Sequence, residues 1–147
     1  MNRNLLIVLL LLFFSYPSAA GPAIPTRVGG SVTVDGVKLT LQGSAGYIFR
    51  VTGTNGKGFI PPAEDKDGLN KRGKYIIDIP IYDPASQSEG AKPDSKAVIH
   101  VFKNGVELKV VKPHGGEFKV GKGGTITPID LVILSTTTGS TKEKNKR

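Results

Sequence analysis

Residues 31–41 have the sequence SVTVDGVKLTL. Apolar side chains occupy every second position from 32 to 34 and again from 37 to 41, with polar residues between them. This period of two is typical of a β-strand that buries one face. Asp35-Gly36 separates the two halves and is a common two-residue hairpin turn. The stretch therefore predicts a β-hairpin.

The same alternation recurs in the rest of the chain, and no segment after residue 20 shows a helical period. Asn104-Gly105 is a second tight-turn dipeptide, and it joins predicted strands at 97–103 and 106–110. The other alternating apolar positions are Tyr47, Phe49 and Val51, then Tyr75, Ile77, Ile79 and Ile81, and finally Ile129, Leu131 and Ile133.

Prolines and polar runs separate the predicted strands. Phe59 and Ile60 are predicted to form a short edge strand that the two following prolines end, because proline cannot donate to a central ladder. Long polar loops are predicted at 61–73 and 83–96. Loops of this length in a compact domain are often functional, so any binding site is expected there first.

These segments predict about eight short strands between residues 21 and 134. We expect an all-β fold, a single antiparallel β-sandwich in which one face of each strand is buried. A small β-barrel is the alternative architecture.

Both ends of the chain differ in composition from this domain. Residues 1–20 combine a basic start, a ten-residue apolar run and Ser18-Ala19-Ala20, which is the layout of a secretory signal peptide. Residues 135–147 are rich in Ser and Thr and then basic, and we expect them to be disordered. Four bases and one acid at 142–147 make this tail the only expected membrane contact, and no nucleic-acid partner is expected.

The chain contains no cysteine. Small exported domains of animals usually carry disulfides, so an exported domain without them indicates a prokaryotic envelope. The protein is accordingly expected to be periplasmic, extracellular or on the cell surface. Thiol catalysis and cysteine-ligated zinc are excluded.

Three pieces of sequence suggest a family. They are GSVTVDG at 30–36, GKYIIDIP at 73–80 and GAKPD at 90–94. In these pieces the chain resembles the β-sandwich modules of prokaryotic secreted and surface proteins, of the carboxypeptidase-regulatory or transthyretin-like type. The resemblance implies the sandwich fold and a non-catalytic role, and it implies no ligand or site residue.

Candidate catalytic residues are few. The chain has two histidines, His100 and His114, and no G-x-S-x-G motif. His100 lies within a predicted strand and would pair with Asp78 if their strands were neighbours, but it is expected to be a structural, half-exposed residue. His114 is expected to be an exposed turn residue. We therefore predict no catalytic residue and no enzyme activity.

The best candidate metal site lies in the sequence EDKDGLN, residues 64–70. Asp65, Asp67 and Asn70 would supply the closely spaced oxygen ligands that calcium requires. Ile76 stands where a calcium loop has its final glutamate. The alternative is an ordinary solvated turn without a cofactor.

The sequence thus predicts a non-catalytic module that acts in protein–protein or cell-surface interaction, through a sheet edge or the two long loops. The alternative is a calcium- or carbohydrate-binding module that uses the 61–73 and 83–96 loops. For carbohydrate, Tyr82 is the one tyrosine after the leader that is expected to be exposed and free to stack on a sugar.

Overall fold

The computed structural model describes residues 23–135. The predicted signal peptide and all but the first residue of the predicted tail lie outside this range. The described strands are β1 (Thr26–Gly30), β2 (Val32–Val34), β3 (Val37–Lys38), β4 (Tyr47–Gly53), β5 (Gly58–Asp65), β6 (Tyr75–Ile79), β7 (Lys96–Lys103), β8 (Val106–Lys112), β9 (Glu117–Lys119), β10 (Ile126–Pro128) and β11 (Leu131–Leu134). Two 3₁₀ turns are at Gln42–Ser44 and His114–Gly116, and residues 23–135 include no helix with the length and hydropathy of a membrane span.

The strands form two sheets. The smaller sheet has the order β10-β1-β6, and the larger has the order β3-β2-β11-β8-β7-β4-β5 with β9 paired to β7. Neither sheet closes into a barrel, so the barrel alternative is wrong. The all-β prediction is confirmed, and two sheets around one core are consistent with a sandwich.

The core joins the two sheets. Phe49 of the larger sheet stacks on Tyr75 of the smaller one, with ring centroids 5.0 Å apart and planes inclined at 21°. Both side chains are fully buried, and Tyr47 is buried beside them, as the alternation predicted. The largest fully buried side chains are Tyr75, Phe49, Ile77, Ile79, Ile99, Leu131, Ile133, Val28, Val32, Val51, Val101 and Val120. Burial of these apolar side chains is the main stabilising term for a domain without disulfides.

The first and last strands pair in parallel, which corrects the prediction of a purely antiparallel sandwich. β1 pairs with β10 in the smaller sheet and β2 pairs with β11 in the larger sheet, both in parallel. Hydrogen bonds continue the ladder between the sheets: Ile129 N–H donates to Gly29 O at 3.0 Å and Leu131 N–H donates to Ser31 O at 2.9 Å. Two chain segments therefore cross from one sheet to the other side by side.

Three side-chain features stabilise this crossing. A Cβ at Gly30 would overlap the Ile129 carbonyl, so the close approach requires glycine. The buried Tyr75 hydroxyl donates to Ile129 O at 2.8 Å, and burial raises the pKa of Tyr75. Asp130 Oδ1 accepts hydrogen bonds from both the backbone N–H and the hydroxyl of Ser31, each at 2.7 Å. These bonds lower the pKa of the Asp130 carboxyl.

The predicted hairpin turns are confirmed. Asp35 and Gly36 have φ of 50° and 82°, and Asn104 and Gly105 have φ of 50° and 81°, as a type I′ turn requires. The strand after Asp35-Gly36 is shorter than predicted, since it ends at Lys38. The Ser44 hydroxyl donates to the Leu41 carbonyl at 2.7 Å and closes a 3₁₀ turn at Gln42–Ser44, directly after the predicted strand.

The two prolines after Ile60 do not end the edge strand. β5 continues through Pro61 and Pro62 to Asp65, so the predicted 61–73 loop begins five residues later. Its pairing with β4 is interrupted there, because Thr52 is opposite Gly58 while Val51 is opposite Ala63. β5 lies at the edge of the larger sheet, as predicted, where missing N–H donors are tolerated.

We predict that Asp130→Ala lowers the free energy of unfolding by about 1 kcal/mol at pH 7, because two donors of Ser31 lose their acceptor. The folded-state pKa of Asp130 is lowered, so its contribution is present above the unfolded pKa of about 3.9 and is lost as the pH falls through the folded value. Urea unfolding should therefore show the difference from wild type shrinking below about pH 4. Asp130→Asn, which keeps one acceptor oxygen, is the matched control and should lose less. An undiminished difference at low pH would contradict this role.

Candidate functional site

The candidate site is a groove on the outer face of the larger sheet. β7 and β8 form a hairpin whose paired residues end at Val101 and Leu108. Further along β7, residues Lys96 to Val98 pair with β9 instead. The two strands therefore diverge and leave a groove of about 780 Å³ between them.

Two contacts cause the divergence. Val110 of β8 is paired with Ile133 of β11, which positions this end of β8 away from β7. The 3₁₀ turn His114–Gly116 packs against both strands at the open end. Gly116 is buried with φ of 77°, and a Cβ there would overlap the Ile99 carbonyl. The turn thus keeps β7 and β8 apart, and its close approach to Ile99 requires glycine at position 116.

The groove has an apolar rim and a main-chain floor. Val98, Val111 and Leu134 lie on the rim, and the last two are 42% and 38% exposed. Ile99 and Val110 line the floor, although their side chains are buried in the core. Since side chains of a strand alternate between faces, these floor residues present backbone to the groove.

His100 connects three strands beside the groove. Its Nδ1 lies 2.6 Å from Glu107 Oε1 on β8, and its Nε2 lies 3.0 Å from Thr52 Oγ1 on β4. A carboxylate only accepts, so Nδ1 donates to Glu107. The Thr52 hydroxyl also lies 3.0 Å from the Gly53 carbonyl oxygen. The imidazole ring is thereby held between β4 and β8.

A row of contacting side chains continues from His100 across the outer face of the larger sheet. The rings of His100 and Phe102 are 6.4 Å apart, and the guanidinium of Arg50 lies 5.3 Å from the centroid of Phe102. Arg50 Nη2 also bonds Glu64 Oε2 at 3.1 Å. Cation–π contacts of this kind fix an exposed arginine in position.

The structure places both histidines at this groove, which sequence spacing did not indicate. The conditional pairing of His100 with Asp78 is wrong, because Asp78 belongs to the smaller sheet and forms a bidentate pair with Arg27 at 2.7 and 2.9 Å. His100 is half-exposed and His114 lies exposed in a turn, as predicted.

The predicted calcium residues lie at the end of β5 and in the loop that follows, and the side-chain oxygens of Asp65 and Asn70 accept from backbone N–H groups. Asp65 Oδ1 accepts from Asp67 N–H at 3.0 Å, and Asp65 Oδ2 accepts from Ile76 N–H at 3.1 Å. Asn70 Oδ1 accepts from the N–H groups of Arg72 and Lys74. These bonds fasten the loop to the start of β6.

Basic side chains reduce the negative charge of that loop. Glu64 is paired with Lys66 at 2.8 Å and with Arg50, and these bonds lower the pKa of the Glu64 carboxyl. Asp65, Asp67 and Asn70 line a shallow cavity of about 630 Å³. Within residues 23–135, no three His, Asp or Glu side chains are grouped to hold a metal ion. Calcium binding here stays a prediction.

The 83–96 loop is held in place by ion pairs with residues outside it. Glu89 bonds Lys57 at 2.8 Å and Asp94 bonds Lys119 at 3.0 Å. The Glu89 carbonyl accepts from Ile60 N–H, so this loop covers the start of β5. The acidic loop follows Asp65 at the other end of β5, and the fold therefore separates the two loops that we considered for one ligand site.

Tyr82 is exposed, as predicted for a sugar-stacking residue. The ammonium of Lys92 lies 5.3 Å from the centroid of its ring. One face of the ring is thus already covered by a cation.

The chain matches no protein-family model, no curated protein and no solved structure. Its resemblance to the carboxypeptidase-regulatory or transthyretin-like modules stays a prediction.

We predict that Asp65→Ala lowers the free energy of unfolding by about 2 kcal/mol, because two backbone N–H groups lose their acceptor. Asp67→Ala is the matched control, since its backbone N–H remains able to bond Asp65, and it should change stability little. Chemical unfolding with and without 1 mM calcium checks this. A stability gain on adding calcium that both variants abolish would contradict the structural role and show a metal site.

Proposed function

We propose that this protein is a non-catalytic exported module that acts by contact with another protein of the cell envelope or surface. The contact surface is the groove between β7 and β8. The observation that carries the proposal is that exposed apolar side chains and polar groups meet at one concave place on an outer sheet face.

The apolar rim supports a binding role. The solvent face of an antiparallel sheet is usually polar, because only the inner face is buried. Val111 and Leu134 break that pattern on the adjacent strands β8 and β11. An apolar cluster rimmed by polar groups is typical of an interaction site.

The edge strands of the two sheets are poorer candidates than the groove for the surface that contacts the partner. β3 has two residues, and the three-residue edge strand β10 ends in Pro128. The start of β5 is covered by the 83–96 loop through Glu89 and Gln87. Short, covered and proline-containing edges resist pairing with another chain. β6 is the remaining edge, and its Ile76 N–H is already bonded to Asp65 Oδ2. We therefore place the contact at the groove and not at an edge strand.

The proposed location of the protein in the cell rests on the sequence. The leader at 1–20 and the absence of cysteine support export to a periplasmic or extracellular site in a prokaryote. The shared core of the two sheets supports a single sandwich over residues 21–134, as the resembled modules have. The calcium or carbohydrate alternative has less support, because both oxygens of Asp65 are bonded to backbone N–H groups and one face of the Tyr82 ring is covered by Lys92.

Val111→Asp and Leu134→Asp should abolish partner binding, because a carboxylate on the rim costs desolvation where the partner covers it. The matched control is Ile126→Asp, on the outer face of the smaller sheet, where the side chain is 69% exposed. Mature wild type and variants are used as bait for cross-linking to the envelope fraction of the source cells, and captured proteins are quantified by mass spectrometry.

A protein captured by wild type and by Ile126→Asp should be at least tenfold depleted with both groove variants. Circular dichroism establishes that each variant is folded. Equal capture by wild type and by the groove variants would contradict the proposal.

A further inference from the structure

We infer that the groove between β7 and β8 receives the C-terminal residue of the partner protein, whose apolar side chain and free carboxylate enter the same cavity. This inference rests on the proposed function, because it takes the groove as the contact surface. It adds the part of the partner that the groove recognises.

The groove is closed at both ends along β7. At one end Val101 of β7 pairs with Leu108 of β8. At the other end Val98 pairs with Glu117 of β9, and the turn His114–Gly116 packs there against β7 and β8. Three strand steps of about 3.3 Å separate Val98 from Val101, so the opening is about 10 Å long. An extended segment of several residues is too long for this opening, whereas the last residue of a chain fits it.

The rim of the groove offers an apolar contact. Val98, Val111 and Leu134 line it, and the last two are exposed. An apolar side chain of the partner removes these surfaces from water, which favours binding. The rim therefore selects an apolar residue.

The charge of the groove selects a carboxylate. Lys109 and His114 line it, and within residues 23–135 neither forms an ion pair. Glu107 is the one acid among the lining residues, and it is already bonded to His100 at 2.6 Å. The remaining donors are thus the ammonium of Lys109 and the ring N–H of His114, which complement a carboxylate.

A chain terminus is the peptide element that brings both groups to one place. In an extended segment consecutive side chains point to opposite sides, so an apolar residue and an acidic neighbour do not enter the groove together. In a C-terminal residue the side chain and the carboxylate branch from the same Cα, so both reach one short cavity. Capture of a terminal carboxylate is a recurring mode of peptide recognition.

Three peptides test the inference by titration into the ¹⁵N-labelled mature protein, with affinities taken from the NMR shifts of backbone amides. They are GSGSGL with a free carboxylate, GSGSGL with an amidated C-terminus, and GSGSGG with a free carboxylate. The first should bind at least tenfold more tightly than the others, because the amide lacks the charge and GSGSGG lacks the apolar side chain. The amide signals of Lys109, Val111 and Leu134 should shift, while those of β3 stay unchanged.

Lys109→Glu should weaken binding of the free-acid GSGSGL about tenfold and leave the affinity of its amide unchanged. The matched control is Lys38→Glu on β3, which should leave both affinities unchanged. Equal affinity of the free acid and the amide, or equal effects of the two lysine variants, would overturn the inference.

Two competitors separate other sources of the same chemistry. Tighter binding of GLSDG blocked at both ends would overturn the inference and assign the groove to an internal acidic segment. Tighter binding of decanoate than of GSGSGL would also overturn it, and would assign the groove to small amphipathic acids. If no peptide binds while Val111→Asp and Leu134→Asp still abolish partner capture, this inference fails and the proposed function stands. If capture is independent of Val111 and Leu134, the proposed function fails.

Discussion

The parallel pairing of the first strands with the last strands is the contact on which the rest of the structure depends. Gly29 and Ser31 accept hydrogen bonds from Ile129 and Leu131, so the ladder continues where the chain leaves the smaller sheet and enters the larger one. The Tyr75 hydroxyl stabilises the same point from the core. The chain has no cysteine and therefore no disulfide. The backbone hydrogen bonds of this ladder join the two sheets and pair the first strands of the domain with its last strands.

The groove is a consequence of that ladder. β11 is held by β2 on one side and pairs with β8 on the other, so the position of Val110 follows from the crossing. β7 is paired with β4 from Ala97 to Lys103. β7 and β8 separate from each other because β8 stays paired with β11 and β7 stays paired with β4. The turn ending at Gly116 fills the open end between them. The apolar rim and both histidines are then brought to one place.

Local patterns in the sequence were sufficient for the elements that depend on local chemistry. The turn at Asn104-Gly105 needs positive φ at two residues, and the dipeptide indicates this directly. The burial of Tyr47 and Tyr75 follows from alternation alone.

Features that depend on distant contacts were not predictable. β10 has the sequence Ile-Thr-Pro, which is too short for a period, and it becomes a strand because β1 lies beside it. Pro61 and Pro62 are tolerated within β5 because that strand lies at an edge. The approach of His100 and His114 requires the divergence of β7 and β8, which no spacing in the sequence encodes.

Native-state amide hydrogen exchange of the mature protein tests the central claim most directly. The amides of Ile129 and Leu131 are bonded in the ladder that joins the sheets, so they should exchange only through global unfolding and share the protection of the β7 amides. Exchange of these two amides at the rate of the 66–74 loop, while β7 stays protected, would show that the parallel ladder does not hold the sheets together and would contradict the account.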